Sequence, residues 1–373
     1  MVELKQVYDE DTNAEYVVNH SKYYSIVDEC RGVREKFWMV MEPSRFNKRK
    51  EPMSTTHILF KSSRNDVSCE NWGEVYASIL GKQGDIPVVD YYMATLDHDG
   101  KKTPGVMCGS YFKTGKEIEL NAYNIHVINS ILHGNKKDYY DNAGINTIEG
   151  MLQDLQAIPD QEFYSENIKF VRQELYKQAI FDFLLAQTDR HWFNTTFLIS
   201  FNPVTEKACV IKAPCYDNGC IAMLKRKASA IVGISQEIEN TGGADSPYLE
   251  TQLNKYCPMM GIKTPLVHAE KSRKTGEEDV LVVDDPVKGR EIFLDELCRV
   301  IADDPDLSAF YINLKNNLNI SQVTEQLMRN GDNPPESVSN IIKNVVGHQI
   351  HELDAHMRKV TAKLSEERGG LSE

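Results

Sequence analysis

The sequence has no apolar run approaching the roughly eighteen residues that a membrane-spanning helix requires, so a helical membrane protein is excluded. Its start, Met1-Val2-Glu3-Leu4-Lys5, lacks the basic and apolar regions of a secretory signal. The eight cysteines form no CxxC pair and are expected to stay reduced in a cytoplasmic protein. Positive charge is scarce: 42 Lys and Arg face 55 Asp and Glu, a net charge of -13. Affinity for a phosphate backbone comes largely from clustered cations, so direct nucleic-acid binding is not expected. No internal repeat is evident.

What remains is an ordinary soluble composition, 41% hydrophobic and 26% charged over 373 residues, long enough for two lobes and a sizeable core. The first third alternates short β-branched or aromatic runs with turn residues: Lys36 to Met41, His57 to Lys61, Val88 to Ala94 and Gly105 to Cys108. Between the second and third runs, Glu70 to Gly81 has apolar residues at 72, 75, 76, 79 and 80, the pattern of a helix with one buried face. From about residue 120 the periodicity is helical, clearest over Glu166 to Ala186, Arg290 to Asp303, Ser308 to Leu318 and Glu336 to Leu364. A β-hairpin interrupts it, Asn194 to Ser200 with Lys207 to Ile211. The stretches Gly242 to Pro247 and Lys271 to Asp279 read as exposed loops. The expected fold is α+β and two-lobed: a small antiparallel β lobe with one helix over residues 1–115, then a larger, mainly helical lobe over 116–373.

The chemistry is concentrated in Asp189-Arg190-His191-Trp192-Phe193-Asn194 and, past the hairpin, Tyr216-Asp217-Asn218-Gly219. Phosphoryl transfer needs an Asp to orient the acceptor hydroxyl, and an Asn and a second Asp to hold Mg²⁺ against the phosphates. Asp189 follows a long apolar helix and suits the first task, although a lone Asp in such a place more often caps a turn. Asn194 and Asp217 carry the hard oxygen ligands that Mg²⁺ takes, and they reverse those odds. Upstream, Lys61 ends an apolar strand and Glu74 lies on the next helix, so the two can meet where sheet and helix pack, the pairing that kinases use for the α- and β-phosphates. No glycine-rich phosphate loop is present. Gly32, Arg34 and Lys36, in Arg31-Gly32-Val33-Arg34-Glu35-Lys36, are the nearest substitute, with the basic run Arg45 to Lys50 as the alternative.

Two other constellations fail. The segment Gly347 to His356 would need His at position 355 to be a zinc helix, and Ala stands there. Cys215 and Cys220 flank Asp217, but no base lies nearby, so they read as small packing residues.

With these residues the chain resembles the HipA-like kinases, a bacterial branch of the protein-kinase-like fold, whose loop has the form Asp-x-His-x-x-Asn followed by a Tyr-Asp metal motif. The resemblance runs over roughly residues 30 to 220. It implies ATP and Mg²⁺ as cofactors, Asp189 and His191 as catalytic residues, transfer to Ser or Thr of a protein substrate, and autophosphorylation. The Asp-Arg-His-x-x-Asn spelling is also similar to that of phosphatidylinositol kinases, so a lipid or small-molecule kinase is an alternative, for which Lys225-Arg226-Lys227 would suit an anionic head group. A further alternative is a non-catalytic nucleotide-binding module, against which the presence of Asp189, Asn194 and Asp217 together argues. The part that toxin members of the family use to contact an antitoxin is not recognisable, which argues against a HipB-like partner.

Overall fold

The computed structural model describes residues 2–5, 36–40, 57–63, 69–98, 101–111, 117–132, 147–157, 161–202, 207–254, 258, 260–264, 266 and 286–369. They form two compact units, neither continuous in sequence. The first comprises residues 1–111, 216–236 and 319–343, and the second 112–215, 237–318 and 344–373. The N-terminal segment of the first unit stops at residue 111, against the expected boundary at 115, and the unit takes two later segments that the expected division assigned to the helical lobe.

The first unit is built on five antiparallel strands, β1 (Val2–Lys5), β2 (Lys36–Val40), β3 (His57–Ser62), β4 (Tyr91–His98) and β5 (Lys101–Gly109), in the order β1-β4-β5-β3-β2. Helix α1 (Glu70–Gln83) covers them. Ile58, Phe60, Val106 and Met107 of the strands are buried, as are Val75, Tyr76 and Leu80 of the helix. The fourth strand begins three residues later than the run of β-formers suggests. Val88 packs directly over Gly81, where a Cβ would lie 2.3 Å from its side chain, and it makes a single β-bridge before the strand proper begins. A side chain holds the end of that connection, because the Tyr91 N–H donates to the Ser78 hydroxyl at 3.0 Å.

The second unit centres on α4 (Gln161–Leu184), whose Leu175, Ala179, Ile180, Phe181 and Leu184 are buried. It packs on α3 (Ile148–Ala157), on α7 (Pro286–Asp303) and α8 (Pro305–Asn317), and on the last strand of a second sheet. That sheet is β6 (Glu117–Asn121), β7 (Thr196–Asn202) and β8 (Lys207–Lys212), antiparallel throughout, with α2 (Ala122–Leu132) between its first two strands in the chain. The hairpin read from the sequence is β7 and β8, extended to three strands by β6. Helix α8 starts three residues earlier than its apolar period indicates, because Pro305 occupies the first helical position and the Asp304 carboxylate accepts from the N–H groups of Asp306 and Leu307. The expected loop at Gly242 to Pro247 is correct only in part. Gly242, at φ 118°, breaks the chain after α5 (Ala228–Asn240), but Ser246 and Pro247 already open α6 (Pro247–Leu253). The loop expected at Lys271 to Asp279 lies outside the described residues. Among the described residues no helix is long and apolar enough to cross a membrane.

The remaining helices are α9 (Ile320–Arg329) and α10 (Glu336–Gly369), and residues 319–343 belong to the first unit. In the turn between them, burial raises the Asp332 carboxyl from 3.8 to about 6. The folded protein therefore holds this proton more tightly than the unfolded chain, so stability falls as pH rises from about 4 to about 6 and the full cost is felt above that window. Asp332→Asn is expected to raise stability at pH 7.5 by about 1–2 kcal/mol, with most of the gain gone at pH 4.5, in urea unfolding followed at both values.

Candidate active site

The residues singled out in the sequence fall into two clusters, one in each unit. In the first unit β3 delivers Lys61, whose side chain is turned inward and 1% exposed. Its ammonium lies 3.3 Å from Glu74 Oε1 and 3.2 Å from Asp217 Oδ1, and 4.8 Å above the Tyr91 ring. Glu74 is wholly buried on α1, and its other oxygen accepts from the Asn218 N–H at 2.7 Å. Asp217 is the partly open member, with 24% of its side chain exposed. It sits at φ 57°, in the left-handed region, and its N–H donates to the Tyr91 phenol oxygen. Tyr216 beside it stacks on Tyr111 at 5.5 Å.

A glycine lets α1 come this close. A Cβ on Gly73 would stand 2.7 Å from the Gly219 carbonyl oxygen, a backbone atom that cannot swing aside. Gly73 of the helix and Gly219 of the Asp-Asn-Gly tripeptide therefore bring Glu74 within reach of the Asn218 amide. Burial also governs the groups behind the cluster: it holds the Tyr91 phenol well above its ordinary value and pushes the Cys108 thiol up to about 12. Both stay protonated and add no charge.

Of the proposed phosphate loop, Gly32 and Arg34 lie outside the described residues, as does the run Arg45 to Lys50. Lys36 is the first residue of β2 and is paired with Lys61 across the β2–β3 ladder. Directly opposed residues of an antiparallel pair share a face of the sheet, so Lys36 brings a second cation to the face that carries Lys61.

In the second unit the Asp189 loop is built around Arg190. Helix α4 stops through two backbone bonds, Gln187 N–H to Asp182 O at 2.8 Å and Ala186 N–H to Phe183 O at 2.9 Å, with Ala186 left-handed at φ 48°. This is a Schellman stop made without glycine, so the sequence carries no sign of it. Arg190, 3% exposed, reaches back to α4 with two bonds to the Asp182 carboxylate, at 2.8 and 3.2 Å, and a third to the Asn194 carbonyl at 3.0 Å. The Asn194 amide nitrogen donates to the Asp189 carbonyl at 2.9 Å and closes the loop. His191 caps the short turn Trp192–Asn194, its Nδ1 accepting from the Phe193 N–H at 3.2 Å, which puts the ring proton on Nε2. Asp189 itself is half-buried, its N–H donating to Gln187 Oε1 at 3.2 Å.

The donor set suits a nucleotide with a hard divalent cation. One ammonium and two carboxylates leave the first cluster with one net negative charge, and the more open carboxylate belongs to Asp217. Asn194 uses its amide nitrogen within the loop, and among the described residues no hydrogen bond ends on its Oδ1. Cys215 and Cys220 are both buried, and burial raises the Cys215 thiol. His348 and His351 bond to Ala244 O and to Asp245 Oδ1. Sequence reasoning passed over Arg190, Asp182, Tyr91 and the Gly73 and Gly219 contact. Only Arg190 had an available signal, as a cation beside the candidate base.

No family model matches the sequence, and no curated protein matches it. Solved structures do. The Helicobacter pylori proinflammatory kinase CtkA aligns over 92% of this chain and 96% of its own, with a TM-score of 0.55 and 11% identity. The chain has a kinase fold. The kinase-like architecture expected from the sequence is thus borne out, including the small antiparallel sheet with its one packed helix. A second structure, Shewanella oneidensis HipA with HipB and operator DNA, aligns over 94% of this chain and 70% of its own, at TM-score 0.46 and 13% identity.

Two substitutions test the first cluster. Lys61→Ala leaves two carboxylates facing each other, one fully buried, and is expected to cost about 3–5 kcal/mol in denaturant unfolding. Gly73→Ala drives a methyl group against the Gly219 carbonyl and is expected to cost roughly 1–3 kcal/mol. Any gain in stability from Gly73→Ala would show that the close approach is not fixed.

Proposed function

We propose that this chain is an ATP- and Mg²⁺-dependent kinase that transfers the γ-phosphoryl group to Ser or Thr of a protein, its own chain included. The observation that carries the reading is the buried Lys61, held at once by Glu74 and by Asp217. An ammonium sequestered between a helix carboxylate and a partly open Asp has no need to exist for packing, and it is the arrangement that grips the α- and β-phosphates in kinases. Lys36, on the same sheet face, would add charge for the polyphosphate.

In this reading Asp217 and the Oδ1 of Asn194 would hold the metal, which would neutralise charge on the phosphates. Asp189 orients the acceptor hydroxyl and takes its proton. Arg190 keeps the backbone of that loop on α4, while His191, spent on capping the turn, acts as a positioning residue.

Purified protein with Mg-ATP is expected to label itself or a generic protein substrate on Ser or Thr, located by mass spectrometry. Asp189→Ala and Asp217→Ala should each lower the rate by at least roughly 10²-fold with circular dichroism unchanged. Label appearing on lipid head groups and not on protein would move the acceptor class. Undiminished labelling in both variants would remove the kinase assignment.

A further inference from the structure

Helix α1 carries Glu74, and what holds α1 from the side away from the sheet is the distant segment 319–343. Tyr76 lies two positions beyond Glu74, about 200° around the helix, so the two side chains leave on nearly opposite faces. Glu74 goes to Lys61; Tyr76, with no exposed surface, goes to α9 and α10. Its phenol oxygen is 2.8 Å from Thr324 Oγ1 and 2.7 Å from Ser339 Oγ.

Proton counting gives these bonds a direction. The Thr324 hydroxyl donates its one proton to the Ile320 carbonyl at 2.9 Å, so toward Tyr76 it can only accept. Tyr76 therefore donates to Thr324, and Ser339 must donate to Tyr76. The chain of donation runs from Ser339 on α10 through Tyr76 on α1 to Thr324 and Ile320 on α9, with every proton used once. At the far end of α1, the Asn319 N–H donates to Gln83 Oε1 at 3.0 Å, and Asn319 is itself the residue that caps α9. Ile320, Val323, Leu327, Val338, Ile341 and Ile342 bury the apolar side of the same segment.

We propose that residues 319–343 are a positioning element built into the chain, which fixes α1 through Tyr76 and so keeps Glu74 on Lys61. The functional part of this inference rests on the kinase reading. Kinase activity depends on the position of the helix that bears this Glu. Here the outer face of that helix is taken by the chain's own C-terminal portion, so Tyr76, Thr324 and Ser339 control the nucleotide lysine without touching it.

The test compares Tyr76→Phe and Ser339→Ala with Ser339→Thr, which keeps a hydroxyl. Three measurements are made on each: acylation of Lys61 in the ligand-free protein by an amine-reactive ester, mapped by mass spectrometry; kcat and KM for ATP; and thermal unfolding. Tyr76→Phe is expected to raise Lys61 labelling several-fold and to lower kcat about tenfold while remaining folded at the assay temperature, with Ser339→Ala intermediate and Ser339→Thr close to wild type. Wild-type labelling and kcat in a folded Tyr76→Phe would overturn the proposal, as would losses that track only the unfolded fraction. If the wild type transfers no phosphate, the kinase reading fails, and the Lys61 labelling still decides whether the segment positions the pair.

Discussion

The constraint on which the first unit depends is the burial of an ammonium. Lys61 is 1% exposed, and an isolated charge taken that far from water costs more than a small domain can supply, so its counter-charges must be in place whenever the protein is folded. Much of the local architecture follows from this requirement. Glu74 must sit on the inner face of α1; α1 must approach the Asp217 loop closely enough for Asn218 to bind the second Glu74 oxygen, hence Gly73 over Gly219. The outer face of α1 must in turn be held, hence Tyr76 between Thr324 and Ser339. A buried pair of this kind is weak evidence for stability, since apolar residues of equal volume often do as well. On the proposed kinase reading its retention has a chemical ground, since an ammonium kept dry and aimed meets a phosphate at full strength.

The second unit solves a different problem, that of holding a loop still without regular structure. Residues 189 to 194 make few ladder bonds, and the buried Arg190 supplies the missing ones, pairing with Asp182 while binding the Asn194 carbonyl. The loop's two ends are then joined by Asn194 to the Asp189 carbonyl. Its polar residues divide accordingly: Arg190 bonds to Asp182 and to the Asn194 carbonyl, and His191 caps the turn that ends at Asn194.

How much of this could be read beforehand depends on how local each signal is. The strands at 36, 57 and 105, the helix at 70 and the hairpin after 194 were legible because each is announced by its own period and its own turn residues. The pairing of Lys61 with Glu74 was legible because strand and helix are consecutive. The strands at 2 and 117 were not: Val2-Glu3-Leu4-Lys5 and Glu117-Ile118-Glu119-Leu120-Asn121 do alternate, but each has only two apolar positions in four or five residues, too short a run to stand out. The end of α4 was hidden because Ala186 occupies a position where glycine would have signalled the turn. Least legible was the composition of the first unit. Nothing in residues 319–343 indicates that they belong with a sheet formed two hundred residues earlier, since amphipathic helices state that one face is buried and not what buries it.

The same limit bears on the charge problem. On the proposed reading a chain with net charge -13 would hold a polyanion only by gathering cations locally, and composition can say only that they are few. Runs of basic residues attract notice in a sequence, yet Lys225, Arg226 and Lys227 are exposed or half-exposed, as a solvated turn would be. The cation that the fold invests in is Lys61 behind an apolar strand, and its neighbour across the ladder is Lys36. Two lysines twenty-five residues apart are made adjacent by strand register, which orients charge far more narrowly than clustering in sequence can. Field strength comes from burial and direction, so on the proposed reading two cations held on one sheet face do in a strongly acidic protein what a solvated patch would need many to do.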